Sequence, residues 1–438
     1  MSHDTMTLME RFNKEFSLSE QSLNGLTETP FHHLRRQAMD IFTQKGLPTI
    51  RHEEWKYTNI FSVLQKPFQK SLPFTATETV LSHYTIPDLD CYRIVLYNGV
   101  YIPELSLVEN DDCYITTVAH AFHEENNAIT SLYATIANNE KNPFVALNTA
   151  LADNGLVLTV KSGKSIDKPI HIMMINDAQY GAVMTMPRLF ISVEKNAKIG
   201  CVVTSNTIGD NPSWKNSVIE CVVAENASLH IVNCQNDTDN ATIIETVEAH
   251  VAADAHYAMT TVSLGGNLVR NDANIVMKGK NAETHLYGLI LGNGKRIVDN
   301  HTIMDHAMPH CESSELYKYI LDDKSTGVFN GKVFVREDAQ KTNAYQSNRT
   351  ILLSDTATIN TKPQLEIFAD DVKCSHGATS GQLDEEQMFY LQARGIGKEK
   401  ARALLLHAFA GDIIQKIPFT SVADWLDRAI SMRLHDNE

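Results

Sequence analysis

The chain has 438 residues, with 38 Lys and Arg against 53 Asp and Glu, for a formal charge of −15. That length supports two or three domains and a large core. The acidic balance excludes a dedicated nucleic-acid binder, which needs a basic footprint.

The first sixty residues read as helical. Leu8, Met9, Phe12 and Phe16 recur at helical spacing. After Pro30, so do Phe31, Leu34, Ala38, Ile41 and Phe42, until Gly46-Leu47-Pro48 stops the run. The N-terminus carries Asp4, Glu10 and Arg11 and no apolar h-region, so no signal peptide is expected. No apolar run reaches the length of a membrane span, and the expectation is a soluble, cytoplasmic protein. Arg51 to Thr58, dense in charge and aromatic rings, reads as a packed connector anchored by Trp55. Asn98-Gly99 between Ile94–Tyr97 and Val100–Ile102 predicts a hairpin with a type I′ turn. Helical spacing returns over 117–151, with Pro143 placed to open a helix carrying Phe144, Leu147 and Leu151. Residues 1–150 thus form an N-terminal helical and mixed α/β region.

From Gly155 the texture changes to short Val, Ile and Thr stretches separated by Asn, Asp and Gly. A polar residue followed by Ala recurs at Asn196-Ala197, Asn226-Ala227, Asp254-Ala255 and Asn281-Ala282, with alanines 30, 28 and 27 residues apart. The series is expected to continue through Ala307, Ala339 and Ala357, the last interval shortening to 18. Fixed-period self-similarity marks a stacked repeat, and a strand-only unit of this length fits one coil of a β-solenoid. The polar-Ala pairs would sit at its corners. About seven coils, stacked about 4.8 Å apart, give a rod over 151–380 whose end edges must be capped or paired. An irregular β-sandwich is the competing reading.

The end is helical again, over 381–438. Asp384 and Gln387 resemble a capping box. Met388, Phe389 and Leu391 supply an apolar face, and Ala401, Leu404, Leu405, Ala408 and Phe409 form a stripe. Val422, Trp425, Leu426 and Ala429 mark a last helix.

Chemistry is most concentrated in Ala369 to Ala378, where Asp370, Asp371, Cys374 and His376 fall together. In an extended strand Cys374 and His376 share a face with Val372. A thiolate beside an imidazole can ligate a metal or form a nucleophile–base pair. Two ligands close neither a zinc site nor a cluster. From residue types alone the buried thiol is the favoured reading, with ligands borrowed from elsewhere as the alternative. The seven cysteines (Cys91, Cys113, Cys201, Cys221, Cys234, Cys311, Cys374) are scattered and never spaced Cys-x-x-Cys, which reads as reduced thiols.

Other candidates are weaker. Gly163-Lys164-Ser165 mimics the tail of a phosphate loop, but Leu158 stands where its first Gly belongs. Gly292-Asn293-Gly294-Lys295 reads as a turn. His301, His306, His310 and Cys311 are dense but lack a zinc spacing, and are expected at corners or packed in the rod. Leu391 to Gly397 resembles a helix-hairpin-helix element offering N–H groups to DNA phosphate, yet it is single and the net charge is wrong. A Cys-His hydrolase reading of Cys374 and His376 lacks a third orienting group.

Several stretches resemble one family. They are Asp305–Cys311, Tyr317–Leu321, Val328–Gly331, Ala339–Gln346, Lys362–Ile367, Ala369–Ala378 and Phe389–Ile396. Together they resemble the SufB/SufD family of iron–sulfur cluster assembly proteins. Arg51, Glu54, Trp55, Lys56, Tyr57 and Thr58 are similar to the amino-terminal signature of its SufD branch. The resemblance implies a mainly β protein, a right-handed parallel β-helix flanked by the N-terminal α/β region and a C-terminal helical domain. It implies a non-enzymatic scaffold subunit of a SufBCD complex, paired with a SufB-like sister and docking a SufC-like ATPase. A transient Fe–S cluster would form at the SufB–SufD interface, with His376 as metal ligand and Cys374 beside it, and none held tightly by the isolated chain. The ATPase dock falls on the helices around Gln382–Ile414, including Gln392, Arg394, Gly395, Ile396, Leu404, Leu405 and Phe409. A homodimer in isolation is plausible because related subunits share pairing surfaces. The alternatives are a structural solenoid adaptor without cluster ligands and a solenoid enzyme acting on sugars or acyl groups.

Overall fold

The computed structural model describes residues 3–21, 28–70, 76–108 and 110–435. From Leu156 onward the chain winds between two sheets, placing one strand in each per coil. One sheet takes Leu156–Val160, Arg188–Val193, Ser213–Val223, Ala241–Val251, Leu268–Met277, Ile297–His306, Thr326–Val335 and Thr358–Ile367, all parallel. The other takes Ile170–Asp177, Lys198–Ile208, Ser228–Gln235, His256–Ser263, Glu283–Gly292, Glu312–Leu321, Asn343–Leu352 and Lys373–Gly381, also parallel. This is a β-solenoid of about eight turns. The sandwich alternative is excluded, because from Arg188 onward successive strands alternate between the two sheets.

The corners explain the repeat. Asn196, Asn226, Asp254 and Asn281 have φ of 60°, 56°, 56° and 57°, the left-handed region that Asn and Asp tolerate best. Each donates its backbone N–H to the residue just before its counterpart in the next coil, as in Asn226 to the Ala253 carbonyl at 3.0 Å. Asn226 Nδ2 also donates to Asn196 Oδ1 at 2.8 Å, and Asn281 Nδ2 to Asp254 Oδ1 at 2.9 Å. The following Ala197, Ala227, Ala255 and Ala282 turn inward and are buried. The later members differ from the expected alanines. The left-handed residues there are His310 and Lys341, at φ 62° and 64°, followed by Cys311 and Thr342. Ala307 and Ala339 lie earlier in those same corners. Ala357 belongs to the opposite corner, before Thr358–Ile367, which is why its interval is short.

The first coil is capped and the last is not. Cys113–Thr117 pairs antiparallel with Leu156–Val160. Tyr92–Tyr97 pairs with Ile170–Asp177 and forms the expected hairpin with Val100–Tyr101. Its turn has Asn98 at φ 52° and Gly99 at φ 81°. At the other end, Thr358–Ile367 and Lys373–Gly381 are the outermost strands, and among the described residues no strand pairs with their outer edges.

Helices cover the two outer faces. The helices His3–Gln21, Pro30–Lys45 and Pro143–Leu151 pack around Trp214 on the first sheet, with Phe12 at 5.7 Å and Phe144 at 6.4 Å between ring centroids. Glu385–Ala393, Lys398–Ile414 and Thr420–His435 form the C-terminal domain. Its Leu406, Ala410, Ile413, Val422, Leu426 and Ile430 bury against Val202, Val232, Val262 and Leu289 of the second sheet. Asp384 caps Glu385–Ala393, accepting from the Glu386 and Gln387 N–H groups at 2.9 and 3.1 Å. No described helix is long and apolar enough to cross a membrane.

Candidate functional site

Cys374 and His376 lie on the terminal strand Lys373–Gly381, in register with Ala344 and Gln346 of the coil below. Both therefore continue inward-facing columns at the open mouth of the solenoid. Cys374 tops the column Ser313–Ala344, and His376 tops Glu315–Gln346. With no coil above, His376 is exposed, while Cys374 is half-buried and packs against the interior core. Burial pushes the Cys374 thiol up, opposed by a backbone hydrogen bond at Ala344. The thiol is thus neither fully buried, as residue types favoured, nor activated by a neighbouring cation. Beneath His376 the column stays polar. Gln346 Nε2 donates to Glu315 Oε2, and Glu315, fully buried, is pushed up to about 7 by desolvation.

The surroundings of this edge are sparse. Nothing lies within 4 Å of a Cβ built at Gly377 or Gly381. Asp371 pairs with Lys341 and accepts no contact from Cys374 or His376. Phe368 and Tyr345 are exposed at 60% and 51% near this end of the rod. A soft thiol and a borderline imidazole on an open edge are donors of the kind that iron accepts, and two are fewer than a closed site takes.

The C-terminal residues divide into two groups. Gln392, Arg394 and Gly395 are exposed, Ile396 is half-exposed, and Leu404 is 45% exposed. Gly395, at φ 84°, closes the first helix as its N–H donates to the Gln392 carbonyl at 2.9 Å and that of Ile396 to the Leu391 carbonyl at 3.2 Å. Glu385–Ala393 buries none of its residues, and Phe389 and Tyr390 stand 72% and 58% exposed. Leu405 is half-buried. Phe409 turns toward the solenoid, where Lys318 Nζ sits 4.3 Å over its ring and donates to its carbonyl at 2.8 Å. Phe409 is therefore an internal anchor of the hairpin, whereas Phe389 and Tyr390, outside the expected set, complete the exposed apolar face.

The histidine-rich stretch disperses. His301 faces the N-terminal connector, His306 turns inside to Ser313 Oγ at 2.8 Å, and His310 occupies a corner. Cys311 is buried, its Sγ 3.2 Å from the Gly279 carbonyl. Gly163 and Gly294 make turns at φ 72° and 62°, and Lys164 pairs with Asp112 at 2.8 Å; neither builds a phosphate loop. Trp55 is buried as expected, 5.2 Å from Phe144 with Arg270 4.6 Å over its ring. What the linear sequence concealed is that its neighbours lock onto the same coils. Arg270 donates to the Glu54 carbonyl at 2.7 Å, Glu54 pairs with His301 at 3.1 Å, and Thr58 Oγ1 donates to Asp299.

Comparison with known proteins agrees with this architecture. The family profile "SUF system FeS cluster assembly, SufBD core domain" matches residues 173–409, and "SufBD protein N-terminal region" matches 6–172. An iron–sulfur cluster assembly SufBD family protein of Synechocystis sp. is 31% identical over 95% of this chain and 94% of its own. The iron–sulfur cluster assembly protein SufD of Escherichia coli is 28% identical over 87% of this chain and 88% of its own. The chloroplastic protein ABCI7 of Arabidopsis thaliana is 28% identical over 96% and 89%. With both profiles together spanning the helical cap, the solenoid and the hairpin, the chain belongs to the SufB/SufD family of iron–sulfur cluster assembly proteins.

Proposed function

We propose that the chain is a SufD-type scaffold subunit of the SUF system, acting in the cytoplasm without turnover of its own. Its terminal coil pairs with a SufB-like sister, and a nascent iron–sulfur cluster, the cargo rather than a resident cofactor, forms across that junction. The carrying observation is the open edge of Lys373–Gly381, which presents His376 and Cys374 and too few ligands to finish a site. A long unpaired strand edge is a template for another chain, so the edge and the missing ligands call for the same partner. His376, the exposed residue, is the ligand this chain offers. Cys374 becomes a ligand only once bound iron draws off its proton, since burial favours the thiol.

The same reading places a SufC-like ATPase on the exposed face of Phe389, Tyr390, Gln392, Arg394 and Leu404. Nucleotide hydrolysis then belongs to that partner, because this chain's Gly-Lys-Ser turn lacks the cradle of a phosphate loop. Alone, the chain would pair with itself through the same edge. The test is anaerobic co-purification with the sister subunit and the ATPase, reading iron and acid-labile sulfide. His376→Ala should remove most of both while leaving the complex assembled; unchanged cluster content would end the ligand role.

A further inference from the structure

We propose a divalent transition-metal site on the outer face of the second sheet, formed by His256, Glu283 and His285 and suited to Zn²⁺ or Fe²⁺. It lies on the flank of the solenoid, several coils from the terminal strand that carries His376. Outward positions on parallel in-register strands stack coil over coil, so His256 sits beside Glu283, and His285 stands two residues further along Glu283's own strand. One ligand atom from each of the three lies within 4.8 Å of the others. Bonds of about 2.1 Å in a tetrahedral site place ligand atoms about 3.4 Å apart. Side-chain adjustments of about an ångström close that difference, with no backbone change.

The hydrogen bonds around His285 support the assignment. Its Nδ1 lies 2.7 Å from Ser314 Oγ and its Nε2 lies 2.8 Å from Glu283 Oε1. With Nδ1–H donating to Ser314, the Nε2 lone pair is turned toward the Glu283 carboxylate, the arrangement a shared metal ion takes; in the metal-free tautomer Nε2–H donates to Glu283 and Ser314 donates to Nδ1. Ser314 has the place of the orienting partner that metal-binding histidines require. Tyr287 stacks on the His285 ring at 5.9 Å and 9°, and the His256 ring stands 5.4 Å away. Nearby, the buried His230 Nε2 has no hydrogen-bond partner, and its ring meets Phe419 of the C-terminal domain. Two imidazoles and one carboxylate are the donor set of open-sided zinc and non-haem iron(II) sites. Three protein ligands leave positions for water or an exchanging group.

The test uses the untagged full chain stripped of metal, titrated calorimetrically with Zn²⁺ and spectroscopically with Co²⁺. The expected result is one site per chain and a Co²⁺ visible band of four- or five-coordinate strength. His256→Ala with His285→Ala should abolish both, Ser314→Ala should weaken binding about tenfold, and His376→Ala should leave this site unchanged. Absence of stoichiometric binding, or binding that survives the double substitution, overturns the proposal. Loss of binding with His376→Ala alone would also overturn it, by assigning the ion to the terminal edge. Unfolding curves of the metal-free variants matching the parent exclude a folding defect.

Discussion

Glu54 and His301, separated by 247 positions, pair at 3.1 Å and latch the amino-terminal connector to the solenoid. His301 Nε2 also meets Asp299 at 2.9 Å, and Asn330 Nδ2 donates to Glu54 Oε2 at 2.9 Å. The latch thus spans two coils of one sheet.

Its pH dependence follows from the groups that face it. Burial and Arg270 lower His301, but Asp299 and Glu54 outweigh them and its imidazolium is held above the ordinary 6.5. The hydrogen bond from His301, against desolvation, holds Glu54 below 4.5. The His301 contribution is complete below 6.5 and fades as pH rises through its raised folded value. The Glu54 contribution is complete above 4.5 and fades as pH falls through its lowered one. Denaturant unfolding of the parent against Glu54→Gln should therefore show its largest difference between pH 4.5 and 6.5. Because Glu54 is more than half exposed, that difference should be about 0.5–1 kcal/mol.

Arg188 and Glu220 form a fully buried ion pair, and Glu220 also accepts the Ala134 N–H at 3.0 Å and the Ala137 N–H at 3.2 Å. Glu220→Ala leaves the buried guanidinium without its counter-charge, its Nη1 still donating to Asn148 and Thr149, and leaves both amides unpaired. Equilibrium unfolding should show a loss of about 3–5 kcal/mol. Replacing both partners with apolar residues of similar volume should cost less than either single change.

The corner rule predicts an asymmetry at Asn226, which is exposed yet conformationally constrained at φ 56°. Asn226→Gly should change stability by a few tenths of a kcal/mol, since glycine adopts this region freely while losing the bond to Asn196. Asn226→Val should cost about 1–2 kcal/mol. Thermal melts of the two variants distinguish backbone strain from loss of a side-chain contact.

At the C-terminal hairpin, exposed and anchoring residues should separate cleanly. Phe389→Asp and Leu404→Asp should leave the melting curve in place and weaken association with the proposed SufC-like ATPase about tenfold or more, measured by pull-down or calorimetry. Phe409→Ala should instead destabilise the chain by about 1–3 kcal/mol, below the fully buried range because the ring is half-buried. A full set of variants that all act on stability would remove the docking face.

Much of this was legible along the chain. The helical cap, the Asn-Gly hairpin and the first four corners each depend on local requirements, namely apolar spacing or a left-handed φ that Asn and Asp satisfy. The corner series went astray after Ala282 because His310 and Lys341 occupy the left-handed position there, and neither is a typical turn residue. Cys374 and His376 could be paired on one face from period alone. Their exposure could not be read, since a strand's own residues do not state whether another coil lies above it.

Local requirements along the chain therefore define the coil: its approximate length, its first four corners and the alternation of its strand residues. The stack decided the rest. His256 and Glu283, 27 residues apart, meet because in-register parallel pairing places one coil on the last, and Glu54 and His301, 247 apart, meet because the connector packs onto the outer face of those coils through Trp55 and Arg270. That registration is a property of main-chain hydrogen bonds between distant strands. Neither it nor the docking of the connector carries a local signature, and together they bring these side chains within reach of one another.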